Sequence, residues 1–211
     1  MTPRRRTLVF DVGGVIVRWR PAMVIRAHLP QVAHDEASAR TAAERVFQSF
    51  VPDADWAAFD RGEIEPGPLA ERIAQRTGYP REALAALIAA IPAHLEPMSE
   101  SLALLQRVRA AGHRLALLSN MPVPYAAHLE AAHDCFGWFE HRTWSGRLGV
   151  MKPDRAIFDH VQRAVGFEPG DALFIDDHGG NVEAARGCGW HAVQFENAAQ
   201  CSAALERAGW L

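Results

Sequence analysis

Over its second half the sequence alternates between apolar runs of strand length and stretches with helical spacing. Residues 114–118, 172–175 and 191–195 are the apolar runs. Leu102, Leu105 and Val108 recur at helical spacing, with Ser99 read as the N-cap and Gly112 as the stop. Ile157, Phe158, Val161 and Val165 repeat the pattern between Asp154 and Gly166. This order predicts a doubly wound, Rossmann-like α/β core: a parallel sheet with helices on both faces. A further run, Leu8-Val9-Phe10, lies near the start and would form the first strand.

The stretch 18–96 has no strand pattern. Ala39, Ala43, Val46, Phe47 and Phe50 share one helical stripe. Leu69 and Ile73 begin a second, and Leu84, Leu87, Ile88 and Ile91 form a third. Pro66-Gly67-Pro68 and Gly78-Tyr79-Pro80 punctuate them. This predicts a helical cap, 18–96, inserted after the first strand of a core made of 1–17 and 97–211. Most of its apolar residues are read as packing rather than as ligand contacts.

The first strand delivers Asp11 into a glycine turn, Gly13-Gly14. A carboxylate at the end of an apolar strand is costly unless it is paired, holds metal or does chemistry. In open α/β sheets the carboxyl ends of strands are where ligands bind. Other runs also end in polar residues: Ser119-Asn120 after one, Asp176-Asp177 after another. Lys152-Pro153 precedes a helical stretch. Singly, each has an ordinary reading as a turn, cap or helix start.

Composition removes other classes. A chain of 211 residues is one large domain or a core with an insert. A formal net charge of -3 argues against non-specific nucleic-acid binding. Cys135, Cys188 and Cys201 are odd in number and form no C-x-x-C, which fits a reducing compartment. The ten histidines include no H-E-x-x-H, so zinc is not expected. No stretch approaches the ~20 apolar residues of a membrane span. Met1-Thr2-Pro3-Arg4-Arg5-Arg6 looks like the start of a signal peptide, but Asp11 interrupts the run and no A-x-A site follows. The expectation is a soluble cytoplasmic protein with no membrane or nucleic-acid partner and an open oligomeric state.

In this order, around an all-helical insert, the four polar pieces resemble the haloacid dehalogenase-like superfamily, in its phosphatase branch. The segments Phe10-Asp11-Val12-Gly13-Gly14-Val15-Ile16, Phe59-Asp60-Arg61-Gly62-Glu63-Ile64, Leu117-Leu118-Ser119-Asn120, Gly149-Val150-Met151-Lys152-Pro153 and Phe174-Ile175-Asp176-Asp177 carry the resemblance. They are similar to the subgroup that includes bacterial α-D-glucose-1-phosphate phosphatases and the phosphatase domain of soluble epoxide hydrolase.

The resemblance implies strand order 5-4-1-2-3 and Mg²⁺-dependent hydrolysis of a small phosphorylated metabolite, expected to be a sugar phosphate. Asp11 would attack phosphorus and become an aspartyl-phosphate. Asp11 and Asp177 would ligate Mg²⁺ with the backbone carbonyl of Gly13, and Asp176 would act mostly through a metal-bound water. Ser119 and the backbone near Asn120 would bind the phosphoryl oxygens, and Lys152 would neutralise them. The charges are consistent with this. Three carboxylates crowded together need a cation among them, and an oxygen-rich site with bridging phosphate suits Mg²⁺.

One position departs from the pattern. Most phosphatases of the superfamily carry a second aspartate two residues after the nucleophile, which protonates the leaving oxygen and later activates water. Here that position is Gly13. Losing such a group typically costs ~10²–10⁴ in rate. The substrate could need little protonation, or another acid could stand in, with His178 and His28 as candidates. The chain could also be a weakly active or inactive homologue kept for binding phosphate ligands. The 2-haloacid dehalogenases, which lack the same aspartate and act on carbon without metal, are the alternative enzyme. They do not need the Asp176-Asp177 pair. Trp19, Arg18 and Arg20 follow the nucleophile loop and are candidates to reach the ligand.

Overall fold

The computed structural model describes residues 6–48, 51 and 53–211. Residues 1–5 of the basic tail and Phe50 of the first helical stripe lie outside the described residues.

Strands β1 (Thr7–Phe10), β2 (Arg114–Ser119), β3 (His141–Trp144), β4 (Ala172–Asp176) and β5 (His191–Gln194) form one sheet. It is parallel throughout, in the order β3-β2-β1-β4-β5. That is the expected order read from the opposite edge. The apolar runs show no polar alternation because both faces are covered. Leu8 and Phe10 of β1 join one buried cluster with Leu115, Leu117, Leu173 and Ile175. Val9 points the other way and joins Ala116, Leu118, Ala172 and Phe174. Each buried Leu, Val or Phe contributes roughly 1.5–3 kcal/mol.

β3 carries no apolar run, so the sequence did not reveal its position. It is a four-residue edge strand in which only Thr143 and Trp144 are buried. Its outer half is held by polar contacts instead. Arg142 pairs with Glu130 at 3.1 Å and donates to the Phe136 carbonyl at 3.0 Å.

Among the described residues, six α-helices separate β1 from β2. They are α1 (Pro21–His28), α2 (Glu36–Phe47), α3 (Asp55–Asp60), α4 (Pro66–Thr77), α5 (Arg81–His94) and α6 (Ser99–Ala110). No strand occurs among the described residues between 18 and 96. Asp35 and Ser38 form a reciprocal capping box at the start of α2. Pro66 opens α4 and left-handed Gly78 closes it. The stripe residues Val46, Phe47, Ile73, Leu84, Ile88 and Ile91 are all buried. The segments leaving for α1–α5 and returning from them lie side by side: Arg18 N donates to Glu96 O, and Met98 N to Ile16 O, both at 2.9 Å.

The start of α6 differs from expectation. Met98, not Ser99, is the N-cap residue. The Ser99 hydroxyl donates to Glu100 at 3.1 Å instead of capping the helix. The remaining helices are α7 (Val123–Ala132), α8 (Ser145–Leu148), α9 (Arg155–Val165), α10 (Gly179–Gly187) and α11 (Ala198–Arg207). α9 has the predicted ends: Asp154 accepts from Ala156 N at 2.9 Å, and Gly166 is left-handed. Among the described residues no helix is long and apolar enough to cross a membrane.

Candidate active site

β2, β1 and β4 lie side by side in the middle of the sheet, so the residues at their carboxyl ends meet. Ser119 ends β2, Asp11 follows β1 and Asp176 ends β4. Lys152 comes from the loop between α8 and α9. Its Nζ lies 2.8 Å from Asp11 Oδ1 and 2.6 Å from Asp176 Oδ2. Buried ion pairs survive only where the remaining polar atoms are satisfied, and here they are. Asp176 Oδ1 accepts from His178 N at 2.8 Å, and Asn181 Nδ2 bridges both carboxylate oxygens at 3.1 Å.

The neighbouring loops are tied to one another. The Asn120 carboxamide donates to Lys152 O at 2.9 Å and accepts from Lys152 N at 2.8 Å. Its side chain therefore positions the lysine, and Asn120 itself is among the residues lining the cavity. Gly14 has φ +76°, and a Cβ there would run into the Asp177 carboxylate. Only glycine lets Asp177 lie on the loop that follows Asp11. At Gly13, by contrast, a Cβ would meet nothing within 4 Å.

Burial pushes the Asp11 carboxyl above its ordinary range. Lys152 pulls it back, while Asp176 and Asp177 raise it further. Burial alone would lower the Lys152 ammonium, but Asp11 and Asp176 outweigh it and hold the group charged. Asp177 is also raised, first by burial and then by Asp176. The pocket is thus short of positive charge.

One oxygen from each of Asp11, Asp176 and Asp177 lies within 4.8 Å of the others. These hard oxygen donors fit Mg²⁺. Asp176 already accepts from Lys152, His178 and Asn181, which leaves Asp11 and Asp177 freer to hold a cation. Gly13 lines the same cavity.

The cavity above these groups measures about 260 Å³. Its floor is polar, with Asp11, Ser119, Asn120, Lys152, Asp177 and His178. Its walls are mainly apolar: Trp19, Trp56, Ile91, Leu95, Tyr125 and Met151. Trp56 and Tyr125 both meet Phe59 edge to face, at 5.6 and 5.4 Å between ring centroids. Every site residue named from the sequence is therefore gathered here. Of the accessory candidates, His178 and Trp19 line the cavity, whereas Arg18, Arg20 and His28 do not.

Two lining residues were not singled out from the sequence. Asn181, in the first turn of α10, holds both carboxylate oxygens of Asp176. Asp60, at the end of α3, is 3 % exposed and lines the cavity. Burial pushes its carboxyl up to about 8, and Lys152 and Arg61 offset that only in part. In the sequence it lay within Phe59-Asp60-Arg61-Gly62-Glu63-Ile64, a segment that carried the resemblance but was given no role in the site.

Comparison with known proteins adds an independent line. The chain is similar to the sesquiterpene phosphatase astK of Aspergillus oryzae, 24% identical over 184 residues, covering 87% of this chain and 86% of the relative. A HAD family enzyme from Bacteroides thetaiotaomicron, solved with magnesium and inorganic phosphate, superposes with a TM-score of 0.69 at 21% identity. The match covers 90% of this chain and 93% of that one. L-2-haloacid dehalogenase from Xanthobacter autotrophicus, with chloropropionic acid covalently bound, gives a TM-score of 0.67 at 20% identity, over 97% and 83% of the two chains. At such identities the structural likenesses establish the fold alone. The family model for haloacid dehalogenase-like hydrolases matches residues 5–189, and the chain belongs to that family.

Proposed function

We propose that this protein is a Mg²⁺-dependent phosphatase that hydrolyses a small phosphomonoester by way of an aspartyl-phosphate. The observation that carries this reading is the Asp11–Lys152–Asp176 chain with Asp177 beside it, at the base of one cavity. A dehalogenase needs no such carboxylate pair at the end of β4. Asp11 supplies the nucleophile. Lys152 offsets charge on the nucleophile and on the phosphoryl oxygens, and Ser119 binds those oxygens. Asp11, Asp177 and the Gly13 carbonyl hold the metal, with Asp176 in support. When bound, Mg²⁺ neutralises the charge that builds on the phosphoryl group. Residues 18–96 act as a cap over the core formed by 1–17 and 97–211. Its Trp19, Trp56 and Ile91 exclude water from the cavity and shape its specificity.

The walls bear on the organic group of the substrate. A sugar would lay its hydroxyls against Ile91, Leu95 and Met151, where they would lose hydrogen bonds to water. A compact alcohol with apolar surface fits better, and a sesquiterpene phosphatase is among the similar proteins. The test uses 4-nitrophenyl phosphate with and without EDTA. Phosphate release should stop with EDTA and return with added Mg²⁺. An isoprenoid monophosphate should then show a higher kcat/KM than a hexose 1-phosphate. Metal-free chloride release from a 2-chloroacid, with no phosphate release, would replace this reading with the dehalogenase one.

A further inference from the structure

The phosphatase reading leaves a gap: the acid that most phosphatases of the resembled superfamily carry two residues after the nucleophile is absent, because that position is Gly13. We infer that the Asp60 carboxyl, lining the same cavity from the end of α3, is the acid and base of the reaction. This inference rests on the phosphatase reading above.

Four observations carry it. First, Asp60 shares the cavity with Asp11, Ser119 and Lys152 while being only 3 % exposed. Second, no hydrogen bond or ion pair among the described residues uses its carboxyl oxygens. Its backbone carbonyl is engaged, but its side chain has no structural task. A buried carboxyl without a partner is expensive as an anion, and such groups mark functional sites. Third, it holds a proton in the neutral range. Its carboxyl is raised to about 8 by burial, with Lys152 and Arg61 lowering it and Asp11 raising it. On the helices packed against α3, Arg72 and Arg76 pair with Asp55, Arg40 with Glu36, Glu71 with Arg81 and Arg147 with Glu130, Arg45 donates to the Thr77 carbonyl, and Glu44 is the remaining charged group. Tyr125 stays a neutral phenol, because burial and then Asp60 raise it. A protonated carboxyl in an apolar setting is a recognised way to present an acid at neutral pH.

Fourth, Asp60 is fastened to the core. Ser145 Oγ donates to the Asp60 carbonyl at 2.5 Å and accepts from Met121 N at 2.8 Å. Gly62, two residues on, lies against the Gly146 carbonyl so closely that a Cβ would collide with it. Gly146 in turn abuts the backbone of Met121 and Val123, at 2.9 and 2.8 Å from where its own Cβ would be. The short helix bearing Asp60 therefore keeps its position over the ends of β2 and β3. His178 is exposed and His28 is outside the cavity, so neither matches this placement.

The step balances without another reactant. An Asp11 oxygen bonds to phosphorus, and the bond from phosphorus to the ester oxygen breaks. The leaving oxygen takes the Asp60 proton and departs as the alcohol. A water then gives a proton to the Asp60 carboxylate as its oxygen bonds to phosphorus. The bond to Asp11 breaks, phosphate is released, and both aspartates return to their starting states.

The experiment compares two substrates of similar size, 4-nitrophenyl phosphate and benzyl phosphate, in the Mg²⁺-loaded protein. The first needs little help with its leaving group and the second needs much. Asp60→Asn should lower kcat/KM, which reports the steps up to phosphoenzyme formation, by ~10²–10³-fold on benzyl phosphate and by less than about tenfold on 4-nitrophenyl phosphate. The wild-type decline in kcat/KM on benzyl phosphate as pH rises through about 8 should disappear in the variant. Adding Gly13→Asp, into the open space at that position, should recover benzyl phosphate turnover by about tenfold or more. The folded-state value at about 8 lies above the ordinary 3.8 of an aspartate, so Asp60 costs stability progressively as pH rises between them. Asp60→Asn should therefore melt no lower than wild type at neutral pH, which separates a catalytic loss from a folding failure. Equal losses of kcat/KM on both substrates, or an undiminished kcat/KM on benzyl phosphate, would overturn the role of Asp60 and leave the phosphatase reading standing. A wild type that cleaves neither ester would overturn both.

Discussion

Asp11→Asn is expected to lower kcat on 4-nitrophenyl phosphate by about 10⁴-fold or more. The amide is a poor nucleophile and a weak metal ligand. The substitution is nearly isosteric, and Lys152 keeps its 2.6 Å contact with Asp176, so the fold should survive. Two measurements decide the matter. Steady-state turnover gives the loss, and acid quench of the wild type during turnover should trap a hydroxylamine-sensitive phosphoenzyme that the variant does not form. A well-folded variant keeping more than about 1 % of wild-type turnover would remove Asp11 as the nucleophile.

Lys152→Met should damage stability as well as rate. Lys152 is 2 % exposed and sits between two carboxylates. Removing it leaves two buried negative charges facing each other. Breaking a buried pair in this way typically costs about 3–5 kcal/mol. For a chain of this size that corresponds to a drop in Tm of roughly 6–20 °C. Turnover should fall by about 10²–10³-fold, because the phosphoryl oxygens lose a preorganised cation. Adding Asp176→Asn should recover part of the lost Tm by removing one stranded charge, without restoring turnover. Calorimetry and an assay on the same samples check both halves. An unchanged Tm for Lys152→Met would mean that the lysine is not confined as the structure has it.

The gathering of the candidate site was largely legible in the sequence because its residues are anomalies within apolar runs. Asp11 and Asp176 stand at the ends of strands that need no charge for packing. Their chemistry had to be read from the pattern, since residues 11, 119, 152 and 176 are brought together only by the crossovers of the sheet. β3 was illegible for the opposite reason. As an edge strand it is covered at only two residues, and His141-Arg142-Thr143-Trp144 gives no period to count. Ser99 was misplaced by one residue because a serine before an apolar helical pattern looks the same at the cap and at the first turn. Asp60 was hidden by context. It belongs to a six-residue helix, too short for periodicity to separate an inward carboxylate from a solvated one. Only the three-dimensional packing of α3 on α8 shows which way it lies.

The helices between β1 and β2 have no separate interior. Ile25, Phe47, Leu69 and Ile88 belong to the same continuous cluster as Leu8 and Phe10 of the central strand. The two regions are thus halves of one cooperative folding unit. Partial melting that frees these helices would expose the part of the shared cluster they bury, so loosening one region weakens the other. Exchanging side chains around the cavity leaves this shared interior intact, whereas removing the helices would uncover apolar residues continuous with the strand that leads to Asp11.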